Sequence, residues 1–209
     1  MRDIRVVAFD CDGVLFDTAK ANKAYYNEVL LHFGRAPMTP EQFAFAHMHT
    51  VDETYAFLFD GDEKILKAAH EYRNGMDYGK FIGYMEIEPY LKPLLTKIRP
   101  KYKTAIATNR TDTMNRVLSE HALEGYFDLV VSVRDVKRPK PHPDPLIKIL
   151  DHFKVRPHHA IYVGDSPLDE MAAKAAGVPF VAYNNSSLSA GFHIHSLREL
   201  EDILEGTKP

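Results

Sequence analysis

Two carboxylates set two residues apart, Asp10 and Asp12, follow directly on the apolar run Ile4 to Phe9, and they are the side chains of this sequence best placed to do chemistry. On an extended backbone, residues i and i+2 project to the same side, so the pair can share one face while Cys11 turns to the other. Carboxylates that close repel each other. A site that keeps both either holds a cation or lets one carry a proton. A pair of solvated loop aspartates is the alternative, and these two residues alone leave it open. Cys11 does not read as a phosphatase nucleophile, because the arginine of a Cys-x5-Arg loop would fall at Asp17.

The elements that must position these groups follow from periodicity. Positions 4–9 are short and rich in Val and Ile, as expected of a buried parallel strand, and Asp12-Gly13 marks its end. In an open α/β sheet, ligands bind beyond the carboxyl ends of the strands, which is where the aspartates fall. From Pro89 onward strand and helix alternate. Strands are expected at 104–107, 129–133, 160–163 and, as the last, 178–183, with helices through Leu91 to Ile98, from about 112 to 121, from Pro143 and after Pro167. Gly177 stops the helix after Pro167, and Ser196-x-x-Glu199 has the form of a capping box opening a C-terminal helix. Such alternation predicts an α/β fold, a Rossmann-like parallel sheet with helices on both faces. The intervening stretch 18–84 shows only helical spacing, through Tyr25, Val29, His32 and Phe33, then Phe43 to Met48, Val51 to Phe59, and 62–74. It is expected to form an inserted α-helical cap over the strand ends, with 1–17 and 85–209 as the core.

With the strands placed, polar residues recur at their carboxyl ends. Thr108 and Asn109 follow one strand, Asp165 another, Asp169 lies one helical turn further on, and Lys140 sits in the loop Lys137-Arg138-Pro139-Lys140-Pro141-His142-Pro143. Carboxylates, a hydroxyl and an ammonium on one edge suit phosphoryl transfer. Cations neutralise the phosphate, a hydroxyl and helix-start amides hold its oxygens, and a carboxylate attacks.

At this point the chain resembles the haloacid dehalogenase superfamily, on its phosphatase side. The resemblance covers nearly the whole chain and rests on four motifs in order: Asp10-Cys11-Asp12-Gly13-Val14-Leu15-Phe16-Asp17-Thr18, then Thr108-Asn109, then Lys140-Pro141-His142-Pro143-Asp144-Pro145, then Gly164-Asp165-Ser166-Pro167-Leu168-Asp169. It implies that Asp10 is the nucleophile and that Asp12 protonates the leaving oxygen and then activates water. It further implies that Mg²⁺ is held by the side chains of Asp10 and Asp165 and the backbone carbonyl of Asp12. Thr108 and Lys140 would grip the phosphoryl group, Asn109 would assist in binding substrate, and Asp169 would orient the lysine or a metal-bound water. Many relatives have Gly before Lys-Pro where this chain has Arg138-Pro139, so Lys137, Arg138 and Lys140 all remain candidates to meet the phosphate, with Lys140 favoured by the Pro-x-Pro-Asp that follows it. Asp12 also favours phosphate esters over halides, because an alkoxide leaving group takes a proton and a halide does not.

The totals narrow the classes further. At 209 residues, 45% hydrophobic and 26% charged, the chain reads as globular, and a net charge of -3 offers no basic field for nucleic acid. No apolar run approaches membrane-spanning length, and no signal peptide is read at the start. One cysteine excludes an internal disulfide and fits a reducing, cytoplasmic location. His47 and His49 are two apart in a helical stretch and do not face each other, so no joint metal site is expected there; His47, His49 and Thr50 are candidates to contact substrate. The expectation is a Mg²⁺-dependent phosphatase for a small phosphorylated metabolite, phosphoglycolate or a sugar phosphate, acting as a monomer or homodimer without nucleic-acid or membrane partners. The alternatives are a phosphomutase of the β-phosphoglucomutase kind and a non-catalytic phospho-binding module.

Overall fold

The structure is a computed structural model describing residues 3–49, 51–110 and 113–206, the side chains of His47 and Met48 excepted. In chain order, β1 (Val6–Phe9) and β2 (Phe16–Asp17) precede four helices, α1 (Ala19–His32), α2 (Pro40–Met48), α3 (Val51–Leu58) and α4 (Glu63–Gly75), and a 3-10 turn at Tyr78–Tyr84. Then come β3 (Glu86–Ile87), α5 (Leu91–Ile98), β4 (Lys103–Ala107), α6 (Met114–Glu120), β5 (Leu129–Val131), α7 (Asp144–Phe153) and β6 (Ala160–Gly164). The chain closes with α8 (Pro167–Ala176), β7 (Phe180–Tyr183), β8 (Phe192–Ile194) and α9 (Arg198–Glu205). It separates into two compact units, Met1–Asp17 with Glu86–Pro209, and Thr18–Met85.

The larger unit is built on a six-stranded sheet in the order β5-β4-β1-β6-β7-β8, every pairing parallel. All four residues of β1 are buried, which is why its sequence is apolar on both faces. Phe9 pairs with Ile106 on one side and Val163 on the other, so β1 lies where the strand order reverses. Right-handed crossovers then put α5 and α6 on one face and α7 and α8 on the other, and leave a crevice beyond the end of β1. Under α7 and α8, Ala8, Ala105, Ala107 and Ala182 meet Leu146, Ile149, Ala172 and Ala173. These small residues bring the helices close to the sheet. The alternate strand residues Val7, Phe9, Ile106, Ile161, Val163 and Val181 are buried on the opposite face.

The helical unit has an aromatic interior. Tyr25 and Tyr55 share a hydrogen bond of 2.5 Å between their hydroxyls, and Tyr25 rings against Tyr26, Tyr78 and Phe81. A capping box between Thr39 and Gln42, with Pro40 in the first turn, starts α2. At its end, the His49 ring stacks on Phe45 at 3.7 Å, with Nδ1 2.8 Å from the Phe45 carbonyl. Thr50 and the side chain of His47 lie outside the described residues. Among the described residues, no helix is long and apolar enough to cross a membrane.

Beyond shifts of one or two residues at strand ends, three features differ from the sequence expectation. The strand at 178–183 is not the last: β8 adds an edge strand whose partner is β7. With three residues and an exposed His193 at its centre, it lacks the apolar run that marks a central strand. There, His193 Nε2 meets the Leu188 carbonyl and His195 Nδ1 meets Asn184 Oδ1, so the two histidines serve separate partners. The strand expected to 133 stops at Val131, because the Asp135 carboxylate accepts the Ser132 N–H at 2.9 Å and turns the chain into a short 3-10 helix. Finally, Glu199 accepts the N–H of Ser196, as a capping box requires, but the Ser196 hydroxyl accepts from Arg198, and the helix begins there.

At Gly164, the last residue of β6, α8 comes close to the sheet: a Cβ there would lie 2.6 Å from Asp169 Cγ. Gly164→Ala is expected to lower the unfolding free energy by about 1–3 kcal/mol through overpacking, measured by urea titration. An unchanged midpoint would mean that α8 shifts freely on the sheet.

Candidate active site

Asp10 is the first residue past β1, its backbone held by an N–H bond to the Val163 carbonyl at 2.8 Å. Its carboxylate is almost fully buried and meets the ammonium of Lys140 at 2.7 Å. Lys140 arrives from the loop between β5 and α7, with its side chain only 3% exposed. The other two candidates lie outside: Arg138 is exposed and pairs with Asp144 at 2.9 Å, and Lys137 is exposed. Among the three candidates, Lys140 alone enters the cluster.

The ammonium has three protons and three acceptors, Asp10 Oδ1 at 2.7 Å, Asp169 Oδ1 at 2.6 Å and the Tyr162 hydroxyl at 3.0 Å. Asp169 is fully buried at the third position of α8, where the capping box with Ser166 places it: its Oδ2 accepts the Ser166 N–H at 3.1 Å and hydroxyl at 2.5 Å. The Tyr162 hydroxyl lies 2.7 Å from Asp169 Oδ1 and 3.1 Å from the Ala107 carbonyl. Burial would raise the Asp169 carboxyl, but Lys140 and the bonds from Ser166 and Tyr162 outweigh it and hold it below the usual range. Burial alone would likewise depress Lys140; Asp10 and Asp169 reverse the sign, and the lysine stays charged.

Asp12 and Arg110 form the second half of the site. The guanidinium grips the carboxylate with both edges of its fork, Nη2 to Oδ1 at 2.7 Å and Nε to Oδ2 at 2.8 Å. Thr108 is buried at the end of β4, and its Oγ1 accepts the Arg110 N–H at 3.1 Å. Asn109, expected among the substrate-binding groups, is committed elsewhere. Its Nδ2 donates to the Lys140 carbonyl at 2.9 Å and its Oδ1 accepts the Lys140 N–H at 3.1 Å, so it braces the lysine loop.

Sequence reasoning missed two residues here. Arg110 directly follows Thr108-Asn109 at a strand's carboxyl end, and a cation beside two aspartates was a usable signal. Tyr162 stood out as the one polar side chain in Ala160-Ile161-Tyr162-Val163, though only the structure shows its hydroxyl reaching Lys140.

Asp10, Asp165 and Asp169 bring carboxylate oxygens within 4.8 Å of one another. Asp169 is saturated by Lys140, Tyr162 and Ser166, so Asp10 and Asp165 are the pair suited to a cation. Burial first, then the negative charge of Asp169, pushes Asp165 up to about 7 and Asp10 well above the usual carboxylate range. A cation between them would offset that penalty. Asp165 also sits against Gly13, which has φ +80° and whose missing Cβ leaves the space that the carboxylate fills. The Asp12 side chain lies outside this group, and only its backbone remains for a cation. An oxygen-only set of this kind fits a small hard metal ion.

A family profile described as haloacid dehalogenase-like hydrolase matches residues 7–183. Pyrophosphatase PpaX of Bacillus velezensis is 31% identical over 217 aligned positions, covering 99% of each chain. Phosphoglycolate phosphatase of Aquifex aeolicus is 30% identical, over 83% of this chain and 82% of its own. A solved HAD-superfamily hydrolase of subfamily IA, variant 1, from Geobacter sulfurreducens superposes with a TM-score of 0.87 at 35% identity, covering 97% of both chains. The parallel sheet that carries the aspartates to one edge and these likenesses along nearly the full length agree: the chain belongs to the haloacid dehalogenase-like hydrolases and is an enzyme of their phosphatase kind.

Proposed function

We propose that the protein is a Mg²⁺-dependent phosphatase that hydrolyses a small, anionic phosphorylated metabolite, phosphoglycolate first among them, through an aspartyl-phosphate on Asp10. The observation that carries this reading is the ammonium of Lys140 clamped between Asp10 and Asp169, with a second carboxylate, Asp12, two residues from the first and separately held. Both named relatives act on small phosphate compounds whose leaving group is itself anionic. The single cysteine, buried and unpaired, accords with a reducing compartment.

The side chains of Asp10 and Asp165 and the backbone carbonyl of Asp12 would hold Mg²⁺, which supplies positive charge against the phosphate oxygens. In the first step an Asp10 oxygen bonds to phosphorus as the bond to the leaving oxygen breaks, and the Asp12 carboxyl gives that oxygen its proton. In the second, the Asp12 carboxylate takes a proton from water, the water oxygen bonds to phosphorus, and the Asp10–phosphorus bond breaks. Esterification removes the charge that Lys140 faced on Asp10, so its proton turns to the phosphoryl oxygens. Thr108 Oγ1 already accepts the Arg110 N–H, which leaves its hydroxyl proton to donate to the same group.

Phosphate release from a panel containing phosphoglycolate, pyrophosphate and sugar phosphates, with and without Mg²⁺, tests the reading. Metal-dependent release that disappears in Asp10→Asn is expected. Conversion of a sugar phosphate to an isomer without free phosphate would replace the phosphatase with a mutase. Lys140→Ala is expected to lower kcat by about 100-fold or more, as loss of an electrostatic stabiliser does; near-normal turnover would remove Lys140 from the mechanism.

A further inference from the structure

The geometry points to Arg110 as the positioning residue of Asp12 in its carboxylate form, the base of the second step: its fork fixes where that carboxylate stands and the plane in which it stands. This rests on the roles given above to Asp10 and Asp12. Asp12 lies past the end of β1, and its side chain is 38% exposed, so packing alone does not select one rotamer. The bidentate pair does, because two parallel bonds fix both direction and plane. The guanidinium is anchored in turn. Its side chain is 9% exposed, Nη1 donates to Thr113 Oγ1 at 3.2 Å, and its backbone is tied at both ends, to Thr108 Oγ1 and to the Val133 N–H.

A structural ion pair on the surface would be a sufficient account if the arginine were solvated and otherwise unbonded, but its side chain is largely buried and the residue is hydrogen-bonded to Thr113, Thr108 and Val133 as well. The pair also joins two adjacent strands of the site, since Asp12 follows β1 and Arg110 follows β4. A proton-transfer group displaced by about 1 Å loses rate by as much as about 100-fold. Holding Asp12 in place is therefore worth much more to turnover than to folding. A lysine at this position would keep the positive charge and lose the fork.

A double-mutant cycle on the full chain tests the assignment, reading steady-state turnover of 4-nitrophenyl phosphate with Mg²⁺ present and enzyme concentrated enough to follow slow variants. Arg110→Lys and Arg110→Met are each expected to lower kcat about 10- to 100-fold, with KM changed by no more than about threefold. In an Asp12→Ala background, the same changes should cost no more than about a further twofold, because the group they position is gone. Equal losses in both backgrounds would overturn the assignment in favour of general damage, and urea midpoints of the single variants would show it as a loss of stability. A rise in KM that persists in Asp12→Ala would overturn it in favour of direct contact with the phosphate. Unchanged kcat in both Arg110 variants would overturn it outright. Turnover that survives Asp10→Asn would instead remove the aspartyl-phosphate reading on which the assignment stands.

Discussion

A buried ammonium needs an acceptor for each of its protons, and Lys140 meets that demand with groups from three separate elements. Asp10 comes from the end of β1, Tyr162 from within β6 and Asp169 from the first turn of α8. None would tolerate its place without the others. Two carboxylates and a phenol crowded together away from water cost more than they return, unless a cation sits among them. The lysine has the converse need, since the same burial disfavours its charge and the two carboxylates offset that. Interdependence of this kind fixes the loop after β5, the start of α8 and the tip of β1 relative to one another.

The sheet makes that convergence possible. Because the order reverses at β1, the loops after its two neighbours leave in opposite directions and expose a crevice between them. The alanines under α7 and α8 then let α8 descend until Asp169 touches Gly164. A bulkier face would hold the helix away and leave the lysine one acceptor short.

Much of this was legible from residue order. Alternating apolar runs gave the central strands, because parallel strands buried on both faces must be apolar throughout, and the aspartates, the threonine and the lysine fell at their ends. What escaped shares a physical character. β8 is an edge strand of three residues, with solvent on one side, and its pattern does not rise above that of a loop. Asn109 was read by chemistry toward a ligand, whereas its amide faces a backbone 31 residues away in the chain, and a partner at that distance leaves no local trace. Arg110 and Tyr162 act through geometry, the one by a planar fork and the other by a hydroxyl at the end of a long ring. Periodicity says which side of a strand a residue faces, but not how far its polar tip reaches.

The clasp between Asn109 and the backbone of Lys140 makes the end of β4 and the lysine loop one mechanical piece. Both hydrogen bonds run to main-chain atoms, so the clasp is indifferent to the side chain at position 140 and would survive its replacement. The reverse does not hold. Changing Asn109 to an isosteric aspartate would set an oxygen against the Lys140 carbonyl where a donor now stands, and the loop would lift with its ammonium still attached. Damage at residue 109 would then masquerade as damage at the lysine. Crystallography of such a variant, rather than kinetics, would tell a missing ammonium from a displaced one.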